Sequence, residues 1–151
     1  SVQNAYNIIN RHVENGLYEQ LYRYELGLLA YSPLGFGRLT MKYERGAKFG
    51  EAATPRGRLE VFPPNWSPRY MRPDVIEACE AYAALAKKNN MSATQLALAF
   101  CYQKDCVAST IIGATTIEQL KENIDAYTQK ISPELFEEID AIRWTHRDPA
   151  Q

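Results

Sequence analysis

The fold of this chain is decided by the stretch Val107-Ala108-Ser109-Thr110-Ile111-Ile112-Gly113-Ala114-Thr115-Thr116-Ile117-Glu118-Gln119-Leu120-Lys121-Glu122-Asn123-Ile124, which runs from a predicted strand directly into a predicted helix. β-Branched residues make up most of its first six positions, as a buried strand prefers. Gly113 ends the strand. Thr115 or Thr116 can cap the helix, because a threonine hydroxyl accepts a hydrogen bond from a free backbone N–H.

The predicted helix has one apolar face, because Ile117, Leu120 and Ile124 recur at helical spacing. Its first turn presents unpaired N–H groups and the positive end of the helix dipole, which together suit a phosphate. Many strand-to-helix junctions of α/β proteins bind nothing, so this physical argument leaves a purely structural junction open as well.

Length and composition predict one globular unit over residues 1–151, since the chain is 46% hydrophobic and 23% charged. A net charge of −1 gives no basic surface for nucleic acid, and no apolar run is long enough to span a membrane. We also expect no secretory signal. Cys79 and Cys101 fall at apolar helical positions, which predicts buried free thiols and a cytoplasmic location, and the cysteine and histidine spacing does not suit zinc.

Strands and helices alternate along most of the chain, which predicts parallel βα units. The predicted strands cover residues 1–6, 28–31 and 106–112. The predicted helices cover about 14–24, 73–88, 116–127 and 132–144, with starts at Pro73 and Ser132, and a further helix begins at the Ser92 cap and carries Leu96, Leu98, Ala99 and Phe100. Two edges of such a small sheet are open, so we expect a missing half, a partner copy or a rearranged fold to cover them.

A long irregular segment, residues 32–72, is rich in glycine and proline. Loops of this length inside a compact domain are usually functional, and the alternative is a linker without fixed structure. Its Gly35-x-Gly37 pair does not complete a Rossmann fingerprint, because Thr40 occupies the third glycine position.

The segment Ile112–Asn123 closely resembles the cofactor signature of the aldo-keto reductases, Ile-Gly-Ala-Thr-Thr-x-Glu-Gln-Leu-x-Glu-Asn. The likeness is greatest to the branch that includes the bacterial Tas-like reductases and the potassium-channel β subunits, and it extends from Ser1 to about Trp144. It implies that the chain is the C-terminal three βα units of a (β/α)8 TIM barrel, a fold that needs eight strands in about 250 residues.

The resemblance also implies a site for NADP(H). Thr115 and Gln119 would lie near the 2′-phosphate, Glu122 and Asn123 would bind the adenine edge, and Gly113 matches a further cofactor position. Many relatives have Arg where this chain has Gln119, and a guanidinium holds a phosphate more firmly than an amide does. Arg56 or Arg58 of the long loop is a candidate for that missing charge.

The nicotinamide half of the cofactor would contact the two earlier strands. By resemblance, Gln3 would bind the carboxamide and Tyr31 would stack on the ring, while the pyrophosphate would be bordered by Ser32, Pro33 and Leu34 and reached by Lys42. The residue types alone also allow an ordinary polar strand residue at Gln3, a core aromatic at Tyr31 and a surface lysine at Lys42.

The catalytic Asp, Tyr, Lys and His of the family would lie on earlier strands, so this chain supplies no catalytic residue. Tyr6, His12 and His146 are not at matching positions. The parent protein would reduce aldehydes or ketones, with a small carbonyl substrate, and its missing N-terminal barrel half or another copy of the chain would be the partner. The alternatives are a non-catalytic NADP(H)-sensing module and a self-associating structural fragment.

Overall fold

A computed structural model describes residues 1–43, 57–62 and 65–151. Three strands are present, β1 (Val2–Ala5), β2 (Leu28–Tyr31) and β3 (Val107–Thr110). The α-helices are α1 (Leu17–Arg23), α2 (Arg58–Val61), α3 (Pro73–Lys88), α4 (Ala93–Tyr102), α5 (Ile117–Asp125) and α6 (Pro133–Thr145). Short 3-10 helices cover His12–Glu14, Gly35–Thr40, Pro68–Met71 and Ala126–Thr128.

The strands form one parallel sheet in the order β1-β2-β3, as the alternating pattern predicts. Gln3 of β1 pairs with Leu29 of β2, and Leu29 pairs in turn with Ser109 of β3, after a register shift between Leu28 and Leu29. In the part of the chain that the structure describes, β1 and β3 each have a neighbour on one side only. The predicted open edges are therefore present.

Among the described residues, helices cover one face of the sheet and leave the other uncovered. Leu28 and Ala30 of β2 point into the core and are fully buried. Their neighbours Leu29 and Tyr31 point to the opposite face, because side chains alternate along a strand, and both are only half-buried. In a closed barrel this second face would be the filled interior.

The prediction that Val107–Ile112 is a buried strand is wrong. Ala108 and Ser109 are exposed and Ile111 is 42% exposed. The β-branched composition marks the segment correctly as a strand, but β3 lies at the edge of the sheet and has one uncovered face, so its residues stay in contact with solvent. The strand also ends at Thr110, earlier than the predicted end.

The apolar face of α5 is present but does not pack against the core. Ile117, Leu120 and Ile124 are 73%, 44% and 57% exposed. The helix instead buries Asn123, and the 3-10 turn that follows it buries Ala126, on the side that packs against α4. The helix is thus amphipathic in the predicted sense, with its apolar stripe open to solvent.

The helix starts predicted from the sequence are confirmed. Ser92 caps α4 in a capping box with Gln95, Ser132 caps α6, and Pro73 begins α3. Cys79 and Cys101 are buried free thiols, as expected.

The predicted helix over residues 14–24 is a separate 3-10 turn followed by the shorter α1. Segment 32–72 was predicted to be irregular throughout, yet its described parts contain α2 and two 3-10 helices. Residues 44–56 and 63–64 of that segment lie outside the described residues. No described helix has the length and apolar character that a membrane span requires.

A cluster of charged side chains ties the C-terminal residues to the loop after β1. Arg11 is buried and pairs with Glu14 and Asp140, while its backbone N–H donates to Asp148 at 2.7 Å. Arg143 of α6 pairs with both Glu14 and Asp148. These contacts hold the chain end beside the carboxyl end of β1.

Candidate functional site

Predicted cofactor residues follow β2 and β3 at the edge of the sheet where all three strands end, whereas Gln3 lies within β1. Asn7 lies just beyond β1, Ser32 directly follows β2, and Gly113 lies just beyond β3. The carboxyl ends of parallel strands meet at one edge, which is where α/β proteins of both the barrel and the open-sheet kind bind their ligands. The topology therefore brings three separated segments of sequence to one place.

The first turn of α5 forms a hydrogen-bonded cluster. Thr116 is the residue that caps the helix, with its hydroxyl accepting from the Gln119 N–H at 3.2 Å. The side-chain oxygen of Gln119 accepts from the Thr115 N–H at 2.9 Å and from the Thr115 hydroxyl at 3.1 Å. Because that oxygen is engaged and Gln119 is exposed, its NH2 group is the donor that can face an anion.

Asn123 is turned inward and is only 2% exposed. Its Nδ2 donates to the Gly113 carbonyl at 3.3 Å, and its own carbonyl accepts from the Tyr102 hydroxyl at 3.0 Å. The residue thus fixes the turn between β3 and α5 against α4. Glu122 is half-buried, and one of its carboxylate oxygens accepts from the Ser92 hydroxyl at 2.7 Å.

Glu118 is a carboxylate in the same first turn that the sequence reasoning did not consider. Its own backbone N–H and the Thr116 hydroxyl donate to it and lower its pKa. The positive end of the helix dipole favours a negative charge at this position. An incoming phosphate would therefore share this helix end with a resident carboxylate.

The chain turns sharply where β2 ends. Ser32 has φ of 55°, in the left-handed region, and it directly precedes Pro33. The Ser32 carbonyl accepts from the Asn7 side chain at 2.8 Å and from the Gly35 N–H at 2.9 Å. Pro33 is buried and Leu34 is half-buried against the core, so these two residues anchor the turn.

Gln3 and Tyr31 lie on the same uncovered face of the sheet. Gln3 pairs with Leu29, and Tyr31 is two residues further along the same strand. Gln3 is exposed and Tyr31 is half-buried, so both side chains are accessible to a ligand on this face. This common face is the arrangement that joint contact with one nicotinamide group would require.

Lys42 is exposed and lies close to Gly37. A Cβ atom added at Gly37 would lie 2.6 Å from Cε of Lys42, and Gly37 has φ of +90°. The Lys42 ammonium is 5.4 Å from the ring centroid of Tyr43. Of the two arginines predicted as possible sources of charge, Arg58 places its guanidinium 5.4 Å from the Phe36 ring centroid, and Arg56 lies outside the described residues.

Tyr6 is out of reach of a substrate. It is fully buried, and its hydroxyl donates to Glu14 at 2.6 Å. Burial first, and the Glu14 carboxylate second, raise the pKa of Tyr6 far above its ordinary range. His12 lies elsewhere, with its Nδ1 atom 3.0 Å from the Gln151 amide nitrogen. Among the described residues no cluster of His, Cys, Asp and Glu could hold a metal ion.

The sequence did not predict the residues that hold the candidate cofactor residues in place through hydrogen bonds. Asn7 and Ser92 each make a hydrogen bond to a predicted cofactor residue, and Arg38 is buried with its Nε donating to the Tyr70 carbonyl at 2.8 Å. Burial lowers the pKa of Arg38. The one available signal was the position of Asn7 just beyond a strand, since the other partners are far apart in sequence.

The sequence model of the Aldo/keto reductase family matches residues 1–143, and the chain belongs to that family. It is 38% identical over 150 residues to Protein tas of Escherichia coli strain K12, covering 99% of this chain and 41% of that protein. It is 34% identical to a probable voltage-gated potassium channel subunit beta of Oryza sativa subsp. japonica, covering 93% of this chain and 42% of that protein.

A third relative is the L-glyceraldehyde 3-phosphate reductase of E. coli K12, at 30% identity over 82% of this chain and 35% of that protein. The solved glycerol dehydrogenase AKR11B4 of Gluconobacter oxydans superposes with a TM-score of 0.73 at 21% identity, over 97% of this chain and 42% of the other. This likeness confirms the barrel-type α/β fold. The chain spans about two fifths of the length of the first relatives, 41% in the case of Protein tas.

Proposed function

We propose that this chain is the C-terminal, cofactor-binding part of an NADPH-dependent aldo-keto reductase that converts aldehydes or ketones to alcohols. In this assignment it contributes three of the eight βα units of the barrel. The observation that carries the proposal is the hydrogen-bonded first turn of α5, in which Thr115, Thr116 and Gln119 surround an exposed helix N-terminus beside the carboxyl ends of the strands.

The residues present suit such a cofactor. The NH2 group of the exposed Gln119 would hold the adenosine phosphate, with Lys42 near the pyrophosphate. Glu122 keeps one carboxylate oxygen beyond its bond to Ser92 and would accept from the adenine amino group. Tyr31 and Gln3 would orient the nicotinamide ring on the uncovered face of the sheet. The bound cofactor supplies the hydride for carbonyl reduction.

The exposed apolar surfaces support a larger parent structure. The uncovered sheet face, the open edge of β3 and the apolar stripe of α5 would all be covered if further βα units closed a barrel around them. We propose that the missing N-terminal barrel half supplies this cover, or failing that another copy of the chain. Buried free thiols favour a cytoplasmic location for the protein.

We further propose that the 151-residue chain has no turnover of its own. Tyr6 is buried and bonded to Glu14, so this tyrosine does not supply the proton that carbonyl reduction needs. The second candidate function is a non-catalytic NADP(H)-binding module, which the likeness to a potassium channel subunit beta favours. Binding of cofactor without turnover, together with binding of a channel partner, would distinguish it.

The test is a fluorescence titration of the purified chain with NADPH and, separately, with NADH. We expect saturable binding that favours NADPH, and a loss of at least about tenfold in affinity in the Gln119→Ala, Asn123→Ala variant, equal to about 1.4 kcal/mol. Carbonyl reduction is assayed in parallel, and turnover above the buffer blank would contradict the inactive state proposed for the chain.

The control for the exposed surface of the helix is the Lys121→Ala, Asp125→Ala variant, and Gln119→Ala is titrated alone because Asn123 is buried. The control variant should bind NADPH as the unaltered chain does. Equal binding by the Gln119→Ala, Asn123→Ala variant would remove α5 from the cofactor site. No binding by the unaltered chain would contradict the cofactor-binding function of this chain.

A further inference from the structure

The loop after β1 is held in place by Asn7. This residue is fully buried. Its backbone N–H and carbonyl exchange two hydrogen bonds of 3.0 Å with Asn10, and its side-chain oxygen accepts from the Ile9 N–H at 3.1 Å. The side-chain nitrogen is therefore aimed out of this loop with a fixed direction, and it donates to the Ser32 carbonyl at 2.8 Å.

The partner of Asn7 is a strained residue. Ser32 has φ of 55°, a region that non-glycine residues rarely adopt, and a residue that precedes a proline is restricted further. Such a conformation persists only where its surroundings enforce it. The Ser32 carbonyl accepts hydrogen bonds from Asn7 and from the Gly35 N–H, and these two contacts help to hold the conformation.

The loop after β1 also makes a hydrogen bond to Tyr31, the residue before Ser32. The Tyr31 carbonyl accepts from the Tyr6 N–H at 3.2 Å, one residue before Asn7. Two consecutive residues that follow β1, Tyr6 and Asn7, therefore hold the backbone of Tyr31 and Ser32 in place. From this backbone the Tyr31 side chain points to the uncovered face of the sheet, where Gln3 also lies.

We propose that Asn7 is a positioning residue for nicotinamide binding: by holding Ser32 in its left-handed turn, it fixes the direction in which the Tyr31 ring meets the cofactor. This inference rests on the proposed function, since it requires Tyr31 to contact the nicotinamide. Asn7 itself touches no cofactor atom in this scheme. It acts at the nicotinamide end and leaves the α5 end unaffected.

The test replaces Asn7 by Asp, which keeps the shape but cannot donate to the Ser32 carbonyl, and by Ser, which is neutral and too short to reach it. The matched control is Asn10→Asp. Asn10 belongs to the same loop, is 3% exposed and donates from Nδ2 to the Ala150 carbonyl at 3.1 Å, with no contact to Ser32. Two ligands are titrated, NADPH and 2′,5′-ADP, which carries the adenosine and its phosphates but no nicotinamide.

We expect Asn7→Asp and Asn7→Ser to weaken NADPH binding by about tenfold, as loss of a buried hydrogen bond predicts. The affinity for 2′,5′-ADP should change less than about twofold on the same scale. The Asn10→Asp substitution should change the affinities for NADPH and for 2′,5′-ADP by the same factor, or change neither. A merely structural role for Asn7 would weaken both ligands in parallel, and that result, or unchanged NADPH affinity, would overturn the proposal.

The unaltered chain separates this failure from that of the proposed function. If it binds neither ligand, the cofactor assignment itself fails, and the positioning role falls with it. If it binds both ligands and the Asn7 variants bind them as tightly, only the positioning role fails. Thermal unfolding of each variant is followed on the same samples, so that a variant that does not fold is replaced by the second Asn7 substitution.

Discussion

The Ser92 hydroxyl donates to a Glu122 carboxylate oxygen at 2.7 Å while it accepts from the Gln95 N–H at 3.0 Å. One side chain therefore caps α4 and tethers the carboxylate that the proposed function assigns to the adenine. The two ends of this contact are 30 residues apart in sequence. Helix capping and the candidate site are physically linked at this point.

The Ser92→Ala variant should lose both contacts. We expect a decrease of about 1–2 kcal/mol in the free energy of unfolding, measured with urea, from the lost cap and the lost bond to a carboxylate. NADPH affinity should fall by roughly threefold to tenfold, because Glu122 is no longer held.

Ser132→Ala is the control for this variant. Ser132 caps α6 by accepting from the Leu135 N–H at 3.2 Å and makes no contact with Glu122. The Ser132→Ala substitution should lower the free energy of unfolding by about 1 kcal/mol and leave the NADPH affinity unchanged. A similar loss of affinity in both variants would show that Ser92 acts through general stability alone.

Acid should destabilise the fold through Glu14. Burial alone would raise the pKa of this carboxyl, but hydrogen bonds from Arg11 and Tyr6 and the charges of Arg11 and Lys104 outweigh burial and hold the pKa below its ordinary value. Because the pKa is lower in the folded state, the stabilisation is complete above the unfolded value of 4.5. It is lost as the pH falls through the folded value.

Urea unfolding at a series of pH values checks this prediction. Glu14→Gln should cost about 2–4 kcal/mol at neutral pH, since it leaves Arg11 and Arg143 without their shared carboxylate. In this variant the free energy of unfolding should also fall less as the pH is lowered, which flattens the acid limb of its plot against pH. Glu137→Gln, at an exposed position of α6, is the control and should reproduce the profile of the unaltered chain. An undiminished acid limb in Glu14→Gln would assign the acid sensitivity to other groups.

Gly27 allows β2 and β3 to approach each other closely. A Cβ atom added there would lie 2.5 Å from the Ala108 Cβ atom, closer than real contacts permit. Gly27→Ala should therefore lower stability by about 1–3 kcal/mol, and Ala108→Gly in the same chain should restore part of it. Thermal unfolding of the single and double variants measures this coupling.

Gly113→Ala is the contrasting case for Gly27, since an added Cβ would meet nothing within 4 Å. We expect it to leave the unfolding temperature nearly unchanged. If Ala108→Gly restores nothing to the Gly27→Ala variant, the close contact between these two residues is not the cause of the lost stability.

The apolar stripe of α5, formed by Ile117, Leu120 and Ile124, should drive self-association of the 151-residue chain. These side chains are 73%, 44% and 57% exposed. Replacing Ile117 and Ile124 by Lys should shift sedimentation equilibrium toward the monomer with little change in stability, because both are already in water.

Trp144→Lys is the matched control for the stripe, because Trp144 is 68% exposed but lies on α6. It should leave the association unchanged. Association that persists when the stripe carries two lysines would locate the contact elsewhere, with the open strand edges as the next surface to test.

The sequence by itself determined the family, the parallel order of strands and helices, and the starts of three helices. The starts of α3, α4 and α6 were predicted from Pro73, Ser92 and Ser132, because a cap or a helix-starting proline acts within one turn of chain. The signature at Ile112–Asn123 identified the family in the same way, by an unbroken run of residues. Information of this kind is local and needs no knowledge of neighbours in space.

Only the tertiary structure decided which apolar residues are buried and which polar residues support the site. Composition marks β3 as a strand and α5 as amphipathic, but burial depends on which elements pack against them, and Ile111 and Ile117 remain exposed. The hydrogen bond from Asn7 to Ser32 joins residues 25 apart. Such partners meet because parallel strands end at one edge of the sheet, a constraint that is set by strand order and register and by no local pattern of residues.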